Sequence, residues 1–107
     1  MELKLLYKID YTSLGCYKDT GNRAIFTLEG QDSILDGPYR QRQNAIAKCA
    51  VAARKRGFSM FALQHGGWCA SSGTAEKTFD KYGKSGACEN DGEGGPWANN
   101  VYVIEGK

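Results

Sequence analysis

Phe58-Ser59-Met60-Phe61-Ala62-Leu63-Gln64-His65-Gly66-Gly67-Trp68-Cys69-Ala70-Ser71-Ser72 reads as a strand, a Gly-Gly turn and a return that opens on an aromatic–cysteine pair. It follows an Ala-rich helix that carries Cys49. A helix cysteine set against a strand cysteine is how small secreted domains staple a core they cannot otherwise hold. The same unit puts Trp68 at a turn, where a ligand could reach it.

The remaining cysteines support that reading. Cys16, Cys49, Cys69 and Cys88 are widely spaced, with none of the close Cys-x-x-Cys pairs that pre-form half of a zinc tetrahedron or a redox centre. An even count at wide spacing predicts two disulfides and an oxidising compartment. At 107 residues the chain is of single-domain size, and residues 1–107 are expected to form one domain. No apolar run reaches membrane-spanning length, so no membrane insertion is expected. The first ten residues are too short and too charged for a signal peptide, so a secreted protein would begin here as a mature fragment does.

Periodicity predicts the elements. Leu3, Leu5, Tyr7 and Ile9 alternate with polar residues, broken by Leu6, as in a half-buried strand. Further strands are expected at 14–18, 24–28, 58–64 and 101–104. Residues 29–41, with Asp36-Gly37-Pro38, read as a long loop with a turn. The main helix is expected from Asn44, as N-cap, to Arg56, with Gly57 closing it. Ile46, Cys49, Ala50 and Ala53 share one face and aim Cys49 at the core, while the small alanines allow close approach to a sheet. Residues 74–82 suit a short second helix ending at Gly83.

Charge is unevenly placed. Between Gly37 and Ala75 there is no acidic residue, and Arg40, Arg42, Arg54 and Arg56 are candidates for a basic face. Such a face could attract sulfated or sialylated glycans, or serve only as solvated surface. The small net charge of +2 and the lack of a recognition motif argue against nucleic acid. Catalytic groups are sparse. His65 is the only histidine, and its neighbour Cys69 is expected in a disulfide. Asp91 and Glu93 are weak calcium candidates in a Gly-rich loop too short and irregular for an EF-hand. The chain is read as no enzyme, and no cofactor is expected.

A binding module remains. Trp68, Trp97, Tyr39, Phe79 and Tyr82 are candidate exposed aromatics, on which the apolar faces of sugars can stack. Trp97 reads as the better candidate for the core. Trp68 supplies the stacking ring, with Gln64, His65, Asn99 and Asn100 offering hydrogen bonds. The alternative is Trp68 buried under the second helix against Phe79 and Tyr82.

Tyr11-Thr12-Ser13-Leu14-Gly15-Cys16-Tyr17-Lys18-Asp19 with Arg23-Ala24-Ile25 resembles the opening of a WSC domain. The helix around Cys49, followed by Gly57 to Cys69, is similar to that family's middle motif. Cys88, Gly94-Gly95 and Val101-Tyr102 are similar to its ending. The resemblance covers residues 11–104. The chain has fewer cysteines than that family usually carries, and Ala53 stands where a second helix cysteine is expected. The resemblance implies a PAN/apple-like shape and a cysteine-rich extracellular module associated with carbohydrate binding and cell-surface attachment.

The expected fold class is therefore α+β: a small disulfide-stapled antiparallel sheet packed on one main helix, plus a short second helix. The helix face bearing Cys49 must cover the strand pair ending at Cys69. This favours Cys49–Cys69 and leaves Cys16–Cys88 to tie the first and last strands. In the chain-entropy picture each bond contributes roughly 3–5 kcal/mol. The expected function is an extracellular, non-enzymatic, lectin-like module that takes a glycan, including anionic ones. The alternatives are a protein-interaction or matrix-assembly domain acting through the basic helix or a sheet edge, and a small toxin or effector.

Overall fold

The computed structural model describes residues 8–106. It is a small α+β domain. Strand β1 (Tyr11–Lys18) leads through two 3₁₀ turns, Ser33–Leu35 and Tyr39–Gln41, to helix α1 (Ala45–Lys55). Strands β2 (Met60–Gln64) and β3 (Trp68–Ser71), the short helix α2 (Ala75–Thr78) and strand β4 (Ala98–Ile104) follow. The four strands form one antiparallel sheet in the order β1-β4-β2-β3, with β2 and β4 interior.

Alternation along each strand sends its residues to opposite faces. Phe61, Leu63, Cys69, Tyr102 and Ile104 pack under α1, together with Cys49, Ala50, Ala53, Leu28 and Leu35. Phe61 stacks on Tyr102 with ring centroids 5.1 Å apart, and Tyr11 meets both rings edge-on. Ala45, Ala50, Ala52 and Ala53 of α1 are fully buried, which brings the helix close enough for Cys49 to bond Cys69. The second disulfide joins Cys16 to Cys88. On the other face, Met60, Ala62, Ala70 and Val101 pack with Tyr17, Ile25 and Ala75, and with the partly buried Phe79 and Tyr82.

The end of α1 follows its sequence signals. Gly57 adopts φ 77°, its N–H donates to the Arg54 carbonyl, and the Phe58 N–H donates to the Ala53 carbonyl. That is a Schellman closure, which needs a left-handed residue and so suits glycine. The helix start differs from expectation. Asn44 is itself left-handed (φ 53°, ψ 45°) and its side chain caps nothing, because an N-cap side chain reaches the first turn only from extended backbone. Its carbonyl still accepts from the Lys48 N–H at 2.9 Å.

One expected strand changes, and another falls mostly outside the described residues. Leu3, Leu5, Leu6 and Tyr7 lie outside the described residues, and Ile9 is irregular and buried. Residues 24–28 run along the outer edge of β3 without forming a strand; they make one bridge, Thr27 to Ala70, flanked by bonds from Ser71 N–H to Phe26 and from Leu28 N–H to Cys69. The Asp19 carboxylate takes the Ala24 N–H, and the Thr27 hydroxyl takes the Glu29 N–H. Side-chain acceptors thus replace a ladder at both ends of this segment.

Candidate aromatic–arginine cleft

Strand register assembles the site. Gln64 pairs with Trp68 across β2–β3 and with Asn99 across β2–β4, and Asn99 pairs with Tyr17 across β4–β1. Directly opposed residues share a face, so Trp68, Gln64, Asn99 and Tyr17 form one row on the side away from α1. Gln64 Nε2 donates to Asn99 Oδ1 at 2.9 Å and to Asp19 Oδ2 at 2.8 Å. Asp19 has no exposed side-chain surface. Its Oδ1 accepts from the Ala24 N–H at 2.8 Å, and its Oδ2 also accepts from Arg23 Nη1 at 2.9 Å. Arg23 is thereby held with its guanidinium carbon 4.3 Å from the Trp68 ring centroid and 5.0 Å from that of Trp97. Distances of this size are those of cation–π contacts.

The turns complete the walls. Between β2 and β3, His65 (φ 54°), Gly66 and Gly67 all have positive φ. A Cβ on Gly67 would lie 2.5 Å from the Tyr39 carbonyl oxygen, so only glycine lets the two loops meet there. Tyr39 and His65 then share a hydrogen bond between the phenol oxygen and Nδ1 at 2.8 Å. Opposite, Gly95 and Ala98 exchange backbone bonds around a two-residue turn, Pro96–Trp97, with Trp97 at φ 52°. Glycine is the usual occupant of a positive-φ position after a turn proline, and a left-handed tryptophan costs roughly 1–2 kcal/mol. Arg23, Tyr39, Gln64, His65, Trp68, Pro96 and Trp97 enclose a cleft of about 270 Å³. Two of the three non-glycine residues with positive φ among the described residues stand on its rim.

No protein-family model matches this chain, and no curated protein matches it significantly.

The expected site residues divide. Trp68, Gln64 and His65 come together at the cleft. Asn99 lies beneath it, fully buried behind Gln64, and its Nδ2 has no hydrogen-bond partner among the described residues. Asn100 does not join them, because its Oδ1 accepts the Gly94 N–H at 2.7 Å. Gln64 is held within the protein by its own bonds. Trp68 is partly buried, with its ring between the second core cluster and Arg23. Trp97, expected in the core, is instead 55% exposed. Proline-glycine punctuation before it was the available signal, since a turn tip carries its side chain outward. Arg23 and Asp19 were not singled out for the site, and Tyr39 only as an exposed aromatic.

The four arginines do not share a free face. Arg42 has only 2% of its side chain exposed and grips Glu29 through two bonds of 2.7 Å, while also donating to the carbonyls of Leu35 and Gly67. Arg56 pairs with Asp32 at 2.7 Å and donates to the Ala52 and Gln31 carbonyls. Burial works to raise the Asp32 carboxyl, but Arg56, the Ile34 N–H and Lys55 outweigh it and hold it below the usual range. Arg40 and Arg54 remain exposed. Asp91 accepts the Glu93 N–H, and among the described residues no group of three or more His, Cys, Asp or Glu could hold a metal ion. No helix among them is long and apolar enough to cross a membrane.

Proposed function

We propose that this chain is a non-enzymatic carbohydrate-binding module of extracellular type, a divergent relative of WSC domains, and that the aromatic–arginine cleft is its site. The observation that carries the reading is Trp97. Its ring stands more than half exposed at the cleft mouth, on a backbone conformation that disfavours it, with Arg23 over one side. Strained residues persist where the surrounding structure holds them, and they cluster at ligand sites. An exposed indole beside planar, fixed polar groups suits the C–H face of a pyranose. Because Asp19, Arg23 and Gln64 hold one another, little ordering entropy is lost on binding. Trp97 thus takes the stacking role that the sequence suggested for Trp68, with His65, Tyr39 and Arg23 at the polar wall. Two disulfides in a small domain fit an oxidising location.

The test is a titration with a saccharide panel followed by tryptophan emission. The wild-type chain shifts with at least one saccharide and Trp97→Ala abolishes the shift without unfolding. A shift that survives Trp97→Ala would refute this site. A protein-interaction role has one observation in its favour: Phe26 is 69% exposed beside a cleft lined by Phe58 and Leu28.

A further inference from the structure

The cleft is electrically balanced although the chain is basic. Arg23, the cation between the tryptophans, touches a carboxylate that has no exposed surface. Asp19 is fixed by three donors, so it cannot swing away from Arg23. At 2.9 Å the two charges largely cancel for any group approaching from solvent. His65 and Pro96 also line an adjoining space of about 380 Å³ bounded by Arg40, Glu89 and Asp91. The whole groove thus sets two cations, Arg23 and Arg40, against three carboxylates, Asp19, Glu89 and Asp91. A uronate or sulfate entering it finds no net positive field. The cations left exposed at the end of α1, Arg54 and Lys55, line neither part.

Building on the carbohydrate reading above, we propose that the groove takes an uncharged oligosaccharide across two subsites, and that Asp19 sets this preference by neutralising Arg23. One ring stacks on Trp97. The next passes His65 and Pro96 into the part lined by Gly66, Gly94 and Gly95. Asp19 is a positioning and charge-setting residue that does not itself reach the cleft surface.

The first arm needs no sugar. In a Trp68→Phe background, Trp97 is the sole tryptophan, and its quenching by iodide is compared with quenching by neutral acrylamide. Iodide gains no advantage in the parent, and Asp19→Asn raises the iodide-to-acrylamide ratio about twofold as the local field turns positive. An iodide preference already present in the parent, or a ratio unmoved by Asp19→Asn, would overturn the charge argument. The second arm titrates xylohexaose, N-acetylglucosamine hexamer and hexagalacturonate. A neutral hexamer binds about fivefold or more tighter than hexagalacturonate, and its affinity does not change with salt; Asp19→Asn narrows the gap. Should Asp19→Asn fail to fold, Glu89→Gln with Asp91→Asn, both exposed, narrows it from the other subsite. Tighter, salt-sensitive binding of hexagalacturonate to the wild-type chain would contradict the proposal. If neither class binds, the carbohydrate reading falls and takes the ligand with it, while the quenching ratio still decides what Asp19 does.

Discussion

The two faces of one sheet have been given opposite tasks. Under α1 the row Phe61, Leu63, Cys69, Tyr102 and Ile104 is apolar, and Cys49–Cys69 lies entirely inside it. On the other face the same strands end in a polar row, Trp68, Gln64 and Asn99, roofed by Arg23 and Trp97. The first face bonds its polar side chains, Ser71, Asn100 and Tyr102, to backbone groups, and none of its aromatic residues has positive φ. The second buries a carboxylate, leaves the Asn99 amide nitrogen without a partner among the described residues and keeps a tryptophan left-handed. A period of two in the strands is enough to separate an apolar, stapled side from a polar, strained one only one residue away.

Removing the buried disulfide should give the largest effect. Chain entropy alone ranks Cys16–Cys88, closing the longer loop, above Cys49–Cys69, at about 4 against about 3 kcal/mol. Cys49 and Cys69 are fully buried, however, so replacing both with alanine also leaves a cavity. Cys49→Ala/Cys69→Ala is expected to lose about 5 kcal/mol or more in denaturant titration, and Cys16→Ala/Cys88→Ala less. Under native conditions dithiothreitol and alkylation should label Cys16 and Cys88 first, because both are partly exposed. The reverse order would mean that the two faces do not differ in the way described.

The next effect belongs to the polar face. Asp19→Ala strips partners from Arg23, Gln64 and the Ala24 N–H, and should cost about 3 kcal/mol. A loss below about 1 kcal/mol would show that the network is solvated rather than buried.

Much of the apolar face was legible in the sequence. Cys49 sits on a helix of small residues, Gly57 ends it, and the strand after it runs into Cys69, so local patterns alone imply that staple. The cleft was only half legible. Gln64, His65 and Trp68 fall around one turn and could be grouped from their spacing. Asp19 and Arg23 reach them from more than forty residues away, which no local period reveals. The basic face failed for a related reason. Glu29 and Asp32, the partners of Arg42 and Arg56, precede the acid-free span, so the span looked unpaired when it was not. Trp97 reads as a core tryptophan, yet Gly94-Gly95-Pro96 before it marks a turn.

Smaller effects come with pH, and they separate the two sides again. Burial, then Tyr11, Glu93 and Asp91, pushes the Tyr102 hydroxyl up to about 12. The folded chain therefore keeps a proton that the unfolded chain releases from its ordinary value of 10.0, and stability should fall as pH rises from there to about 12. Tyr102→Phe should flatten that loss. At the acid end, Glu93 on the cleft-side loop is raised by burial and by Asp91, so its contribution improves as pH falls towards 4.5. Asp32 behaves oppositely: its held-down carboxylate contributes stability above 3.8 that is lost on further acidification. Chemical denaturation across pH, with Asp32→Asn as a control, resolves the opposing trends.

The smallest expected change in stability belongs to Trp97, and it tests the central claim most directly. Thermal unfolding of the wild-type chain and of Trp97→Gly, each with and without the saccharide found by the panel, measures both tasks at once. Glycine relieves the left-handed backbone by roughly 1–2 kcal/mol, which offsets the loss of a half-exposed ring. Trp97→Gly should keep a melting point within a few degrees of the wild type and lose the saccharide-induced shift completely. A drop of the size a core tryptophan gives, roughly 3–5 kcal/mol, with the saccharide shift retained, would contradict that claim.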